Sequence, residues 1–100
     1  MISLPSGTRI WLVAGITDMR KSFNGLAKQV QHVLNVNPFS GHLFIFRGRR
    51  GDQIKVLWAD SDGLCLLTKR LERGRFVWPV TRDGKVHLTP AQLSMLLEGI

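Results

Sequence analysis

The sequence predicts a single α+β domain with a mostly antiparallel sheet and about three helices. A length of 100 residues allows one hydrophobic core of two packed layers and excludes a large multi-domain enzyme. Hydrophobic residues make up 44% and charged residues 21% of the chain, as in globular domains. The apolar spacing changes between the periods of strands and helices in the order β-α-β-β-α-β-β-α. We assign residues 1–100 to one domain.

The first strand is predicted over Thr8 to Ala14, a β-branched and aromatic run with glycine at either end. A helix is predicted from Thr17 or Asp18, because either side chain can cap the free N–H groups of a first turn. Its apolar residues recur at three- and four-residue steps as far as Leu34, and Pro38 follows its end. This is the longest predicted helix.

A β-hairpin is predicted in the middle of the chain. Its strands are His42 to Arg47 and Gln53 to Ala59, which are rich in aromatic and β-branched residues. The connecting stretch, Gly48-Arg49-Arg50-Gly51-Asp52, contains two glycines that allow a positive φ. The hairpin therefore carries arginines at its tip.

The second half of the chain contains more ambiguous patterns. The leucine spacing from Leu64 to Leu71 favours a helix, and a strand stays open as the alternative. Arg75 to Val80 contains a proline within an aromatic and β-branched run, which is typical of a short edge strand. A further strand is predicted over Lys85 to Leu88. Thr89-Pro90-Ala91-Gln92 predicts a final helix, since it combines a capping box with proline at the first helical position.

The charge balance indicates a polyanionic partner. Fourteen Lys and Arg residues against seven Asp and Glu residues give a net charge of +7 and a pI of about 10.9. Cys65 is the only cysteine, so an internal disulfide is excluded and no oxidising compartment is needed. No run approaches the roughly 18 apolar residues of a membrane span, and the N-terminus has no secretory pattern. We therefore expect a cytoplasmic protein without membrane association.

Few residues form a catalytic pattern. The chain has no tyrosine, which excludes the tyrosine nucleophile that some strand-nicking enzymes use. Asp60 and Asp62 are the only close carboxylate pair, and with Gly63 they favour an ordinary turn over a two-metal nuclease site. The three histidines lack metal-site spacing, and the sequence has no phosphate-binding loop that ends in Gly-Lys. We expect no metal, no cofactor and no nucleotide hydrolysis.

Positive charge is concentrated in residues 47–82, which hold nine Lys and Arg against four acids. Most of these cations are arginines, whose guanidinium groups match phosphate oxygens in pairs. The candidate nucleic-acid contacts are Arg47, Arg49, Arg50, Lys55, Lys69, Arg70, Arg73 and Arg75. A solvated charge run and an acidic protein partner are the alternatives. Among nearby aromatic residues, Phe44 and Phe46 are expected in the core, and Trp78 stays open as a base-stacking face.

Five distinctive stretches lie in order along the chain: Leu4-Pro5-Ser6-Gly7-Thr8-Arg9-Ile10-Trp11, Thr17-Asp18-Met19-Arg20-Lys21-Ser22-Phe23, Asn37-Pro38-Phe39-Ser40-Gly41, Phe46-Arg47-Gly48-Arg49-Arg50-Gly51-Asp52 and Lys69-Arg70-Leu71-Glu72-Arg73-Gly74-Arg75-Phe76. Together with Trp78-Pro79 and the stretch from Leu88 to Leu93, they resemble the accessory proteins of insertion sequence sixty-six type transposable elements. Those proteins are called TnpB or the second open reading frame product. The resemblance is specific, because it extends over nearly the whole chain.

The resemblance implies a non-catalytic accessory role in transposition in bacteria, beside a separate and larger transposase. It supplies no catalytic residues that could be carried over to this chain. Every candidate cation except Lys55 lies inside one of the matched stretches, so we expect contact with DNA or with a DNA-bound transposase complex.

Two other functions stay open at this point. The chain could be an interaction module that docks on an acidic surface of the transposase, with an exposed Leu93-Leu96-Leu97 face as a second contact. It could also be a metal-independent ribonuclease, which would require His42 and His87 to converge with the arginines.

Overall fold

The computed structural model describes residues 7–78 and 85–98, which form a five-stranded sheet with helices on both faces. The strands lie in the order β4-β3-β2-β1-β5. Their bounds are β1 Ile10–Val13, β2 Leu43–Arg47, β3 Gln53–Ala59, β4 Leu64–Arg70 and β5 Lys85–Leu88. β1 and β2 are parallel, and the other neighbours are antiparallel. The predicted α+β class with a mostly antiparallel sheet is confirmed.

The central strands are buried on both faces of the sheet, because helices cover both sides. In β1, Ile10 and Leu12 point to one face, while Trp11 and Val13 point to the other. All four side chains are buried. A strand that is covered on both sides reads as a continuous apolar run, as this one does.

Two helices supply these covers. α1 (Phe23–Gln29) continues as a π-helical turn (Val30–Leu34) and packs on the Trp11 face. It ends at Asn35, whose φ of 54° lies in the left-handed region that asparagine tolerates. α2 (Pro90–Glu98) packs on the Ile10 face through Leu93 and Leu96. The described residues therefore contain two helical segments rather than about three.

The predicted start of the first helix was wrong, since α1 begins at Phe23. Thr17 is buried, and its Oγ1 accepts a 2.9 Å hydrogen bond from Nε2 of Gln29. The Asp18 carboxylate binds the Arg20 guanidinium. Both predicted caps are thus used in a loop before the helix.

The helix favoured from Leu64 to Leu71 was also wrong, because this segment is the strand β4. Its leucines fit both periods: Leu64 and Leu66 pack on the α1 face, and Leu67 points to the other face. Pairing with the whole of β3 decides the outcome. The strand left open as the alternative is the observed structure.

The remaining local predictions are confirmed, with one exception. The hairpin strands β2 and β3 lie within one residue of their predicted bounds, and β5 matches its prediction. The capping box is reciprocal: Thr89 N donates to Gln92 Oε1 at 2.9 Å, and Gln92 N donates to Thr89 Oγ1 at 3.1 Å. Residues 75–78 form no strand, and the rest of that predicted edge strand lies outside the described residues. No helix in residues 7–78 and 85–98 is long and apolar enough to cross a membrane.

Candidate nucleic-acid interface

A cleft opens where the parallel strands β1 and β2 both end. Carboxyl ends of parallel strands meet at one edge of a sheet, where ligand sites of α/β proteins commonly lie. Here that edge brings the loop after β1 beside the hairpin tip after β2, and a 2.8 Å hydrogen bond from Thr17 N to the Arg47 carbonyl joins them. The volume of the cleft is about 720 Å³. It is lined by Ile16, Thr17, Asp18, Met19, Arg20, Gly48, Arg49, Arg50, Asp52, Gln53 and Arg70, and we call it the arginine cleft.

The loop on one side of the arginine cleft is fixed by a relay of polar side chains. Lys21 Nζ donates to Gln29 Oε1 at 3.2 Å, and Gln29 Nε2 donates to the buried Thr17 Oγ1. Lys55 Nζ, on the neighbouring strand β3, donates to the Lys21 carbonyl at 2.9 Å. The loop is therefore anchored to both α1 and the sheet.

The hairpin tip on the other side is held by backbone hydrogen bonds. Gly48 N donates to the Gln53 carbonyl at 3.0 Å, and Gly51 N donates to the Gly48 carbonyl at 3.2 Å. Phe76 N donates to the Gly51 carbonyl at 2.8 Å, so the segment after β4 supports the tip from behind. Gly51 has a φ of +77°, which a residue with a Cβ rarely adopts. The tip thus presents the exposed Arg49 and Arg50 on a fixed backbone.

Four of the eight candidate cations lie in or beside the arginine cleft, and a fifth is exposed after β4. Arg49 and Arg50 line it from the hairpin tip, and Arg70 lines it from the end of β4. The exposed Arg75 lies over the tip, where its Cδ stands 3.3 Å from the position of a Cβ on Gly51. Arg73 is exposed in the turn that follows β4.

The other three candidates have partners inside the protein. Arg47 donates from Nε to the Gly15 carbonyl at 3.3 Å, and its Cζ lies 5.4 Å from the ring centroid of Trp78. Lys55 holds the loop described above. Lys69 donates from Nζ to the Leu97 carbonyl near the end of α2. These hydrogen bonds give the three cations structural roles.

Arg20 is a cleft residue that the charge map did not include, because it lies outside the basic middle segment. The available signal was its position in the matched stretch Thr17 to Phe23. Its guanidinium binds both carboxylate oxygens of Asp18, at 2.8–3.2 Å. These hydrogen bonds, and one from the Arg20 backbone, lower the pKa of Asp18 to about 2. Arg20 is therefore a paired cation at the rim of the cleft.

The two histidines of the ribonuclease hypothesis, His42 and His87, do not line the arginine cleft. His42 Nδ1 accepts a 2.9 Å hydrogen bond from Arg9 N, just before β1 begins. His87 pairs with Trp11 across β1 and β5, and their rings meet edge to face at 4.2 Å. The two histidines do not converge with the cleft arginines, so the arrangement that the ribonuclease hypothesis requires is not formed.

The acidic pair at the β3–β4 turn has an ordinary turn geometry. Asp60 Oδ1 accepts hydrogen bonds from the backbone of Asp62 at 2.8 Å and of Gly63 at 2.9 Å, which lower its pKa. Its second oxygen accepts the Cys65 thiol at 3.3 Å, and this bond raises the thiol pKa. Within residues 7–78 and 85–98, no group of three or more His, Cys, Asp or Glu side chains is placed to hold a metal ion.

The hydrophobic side chains considered for contacts with a partner or with bases, on α2 and at Trp78, pack against the core of the protein. Leu93 and Leu96 are buried and Leu97 packs beside them, so the leucine docking face considered on α2 belongs to the core. Trp78 packs on the same core cluster and is half-buried beneath Arg47. Phe44 and Phe46 are buried, as expected.

Comparison with known proteins places the chain in a family. Residues 8–100 match the family described as IS66 Orf2 like protein. Two relatives come from Sinorhizobium fredii (strain NBRC 101917 / NGR234). The protein y4hO is 57% identical over 97% of this chain and 86% of its own length, and y4jC is 36% identical over 100% and 86%. Both carry the description "Uncharacterized protein". No solved structure matches the chain. The resemblance found in the sequence is thereby confirmed: the chain belongs to the IS66 Orf2-like family.

Proposed function

We propose that this protein is a non-catalytic accessory factor in the transposition of an insertion sequence, and that it contacts DNA through the arginine cleft. The family supports the accessory role. The observation that carries the DNA contact is the convergence of four arginines from three separate segments of the chain on one cleft: Arg20, Arg49, Arg50 and Arg70.

The chemistry of the arginine cleft suits phosphate. Guanidinium groups bind phosphate oxygens with paired hydrogen bonds, and such contacts position a protein on DNA without reading the sequence. Asp18 and Asp52 also line the cleft, but Asp18 is paired with Arg20. Arg49, Arg50 and Arg70 make no ion pair with any described residue, so they supply the positive charge that a phosphate backbone would meet.

The test compares two double variants that remove the same charge. Arg49→Ala/Arg50→Ala removes two cleft cations. Arg9→Ala/Lys28→Ala removes two exposed cations that do not line the cleft. The dissociation constant of a fluorescent duplex is measured at several salt concentrations for both variants and the wild type.

Each phosphate that a protein neutralises on duplex DNA contributes about −0.9 to the slope of log affinity against log salt. The cleft variant should therefore lose about two units of slope, and the control should keep the wild-type slope within a fraction of a unit. Equal losses in both variants would mean that only net charge matters, and a flat salt response in the wild type would refute DNA contact. Thermal unfolding of all three proteins confirms that they are folded.

We also propose that the accessory role is exercised together with the separate transposase of the element, as the family suggests. An acidic transposase surface could meet the same arginines without DNA. Co-purification with the transposase that survives nuclease treatment, and is lost in the Arg49→Ala/Arg50→Ala variant, would favour that alternative over direct DNA contact.

A further inference from the structure

β4 is a seven-residue strand at one end of the strand order, and β3 is its one neighbour among the strands of the described residues. Hydrogen-bonded and non-hydrogen-bonded pairs alternate along an antiparallel ladder. Asp60 N donates to the Gly63 carbonyl where the β3–β4 ladder begins, and Leu71 N donates to the Asp52 carbonyl where it ends. Between these two hydrogen bonds, every second residue of β4 belongs to a non-hydrogen-bonded pair with β3. The N–H and C=O groups of these residues point away from β3. The outward-facing residues are Leu64, Leu66, Thr68 and Arg70.

Over residues 64–68, this outer edge lacks the features that usually keep an edge strand unpaired. β4 has no proline and no bulge, since its register with β3 runs unbroken over all seven residues. The stretch from Leu64 to Thr68 is uncharged, and Leu67 is 38% exposed. No residue within 7–78 and 85–98 hydrogen-bonds to the outward backbone groups. The outward N–H and C=O groups of β4 are therefore available to pair with another strand.

The edge is self-complementary when it meets a copy of itself in the antiparallel direction. A two-fold axis through Leu67 places Leu64 opposite Arg70 of the copy and Leu66 opposite Thr68. Each outward-facing residue then has a hydrogen-bonded counterpart, and Leu67 faces its own copy in a non-hydrogen-bonded pair. No other two-fold register pairs all of the outward residues with one another.

Charge favours the same arrangement. Asp60 and Asp62 precede β4, whereas Lys69 and Arg70 end it and Glu72 and Arg73 follow, so residues 69–73 carry a net charge of +2. Antiparallel pairing brings the acidic turn of one copy beside the basic end of the other, at both ends of the joint. Parallel pairing would place like charges together, which is unfavourable for directly opposed residues.

We propose that two copies of this protein associate through their β4 edges, which joins two five-stranded sheets into one ten-stranded sheet. A two-fold joint uses the β4 edge of both copies at once, so this interface closes on itself as a dimer. This interface shares Arg70 with the arginine cleft, whose other lining residues lie in the loop after β1 and in or beside the hairpin tip. The pairing of the strands uses backbone groups and does not depend on DNA contact.

The first test is the mass of the protein in solution, measured by light scattering after gel filtration over a range of concentrations. We expect a species of twice the 11.3 kDa chain mass for the wild type at high concentration. Thr68→Pro removes an outward N–H and leaves the β3 ladder intact, so it should shift the protein to monomer. Thr68→Ala loses the same exposed side chain and keeps the N–H, so it should stay dimeric. A wild type that is monomeric throughout, or a Thr68→Pro variant as dimeric as Thr68→Ala, would overturn the proposal.

A second test fixes the register without proline. In a Cys65→Ser background, Leu67→Cys places one thiol at the two-fold axis, at a Cα separation of about 4.5 Å that a disulfide can span. Mild oxidation should then yield a covalent dimer on a non-reducing gel. Cys65→Ser/Thr68→Cys, whose thiol lies off the axis, is the control and should cross-link far less. Equal cross-linking of the two variants, or none in either, would reject the β4–β4 interface.

Discussion

Met19 packs against Gly48 where the two walls of the arginine cleft meet. A Cβ atom added to Gly48 would lie 2.7 Å from Cγ of Met19, closer than real Cβ atoms approach. Gly48 does not have a positive φ, so it is the lack of a side chain, rather than unusual backbone freedom, that this position requires. The contact lets the loop after β1 lie close to the hairpin tip.

Gly48→Ala should therefore destabilise the protein by about 1–3 kcal/mol, the usual cost of overpacking a filled site. Urea denaturation of the wild type, the two single variants and Met19→Ala/Gly48→Ala completes a double-mutant cycle. Because Met19→Ala removes the clashing Cγ, the alanine at Gly48 should cost clearly less in the Met19→Ala background. Strictly additive effects would show that the two residues are not coupled.

The parts of the fold that the sequence predicts well are those with local signals. The hairpin strands and the capping box of Thr89 and Gln92 depend on residues a few positions apart, and both are confirmed. The start of α1 depends on a tertiary contact instead, because the Thr17 hydroxyl binds Gln29, 12 residues away, rather than the first turn. The leucines of β4 fit a helix or a strand, and only pairing with β3 distinguishes the two.

The candidate site was predictable in part for the same reason. Arg49 and Arg50 follow from the turn composition of the hairpin tip. Arg20 comes near them because β1 and β2 pair in parallel, a long-range fact that charge counting does not contain. Conversely, Lys55 and Lys69 lie within the basic segment but donate to main-chain carbonyls. Charge density along the sequence thus identified the hairpin tip, but it could not separate exposed cations from structural ones.

Three glycine substitutions should separate backbone strain from side-chain contact at the hairpin tip. Gly51 has a φ of +77°, and a Cβ added to it would lie 3.3 Å from Cδ of Arg75. Gly74 has a φ of +79° with open space around it, and Gly63 has neither constraint. Alanine at Gly74 should cost roughly 1–2 kcal/mol, the penalty of the left-handed region for a residue with a Cβ. Alanine at Gly51 should cost more, and at Gly63 close to nothing. The midpoints of urea unfolding give the order, and a Gly63 variant as unstable as the Gly51 variant would contradict it.

The Asp18–Arg20 pair should make stability depend on pH in the acidic range. Hydrogen bonds from Arg20 hold the pKa of Asp18 at about 2 in the folded protein, against roughly 3.9 for an unperturbed aspartate. A lowered folded-state pKa contributes stability that is present above about pH 4 and lost as the pH falls towards 2. The stability difference between the wild type and Asp18→Asn should therefore shrink over this window. An NMR titration that places the Asp18 carboxyl near pH 4, or a difference that is constant with pH, would contradict the assignment.

Asp18→Asn should strengthen DNA binding at neutral pH. The substitution removes a negative charge from the arginine cleft and frees the Arg20 guanidinium to meet a phosphate. One charge interaction across about 4 Å of water corresponds to roughly a fivefold gain in affinity. Glu98→Gln removes the same charge from an exposed position that does not line the cleft, so it should change the affinity much less.

The double variant Asp18→Asn/Arg20→Ala then separates the two causes of that gain. If the freed guanidinium binds phosphate, removing Arg20 should abolish most of the increase, and the salt slope should return towards the wild-type value. If only the lost negative charge of Asp18 matters, Arg20 contributes equally to binding whether or not Asp18 is present. Arg20→Ala should then weaken binding by the same factor in the wild type and in Asp18→Asn. Fluorescence anisotropy with one duplex at two salt concentrations measures all of these constants. Binding by Asp18→Asn that is no tighter than by the wild type would exclude Arg20 from the DNA contact and leave Arg49, Arg50 and Arg70 as its cations.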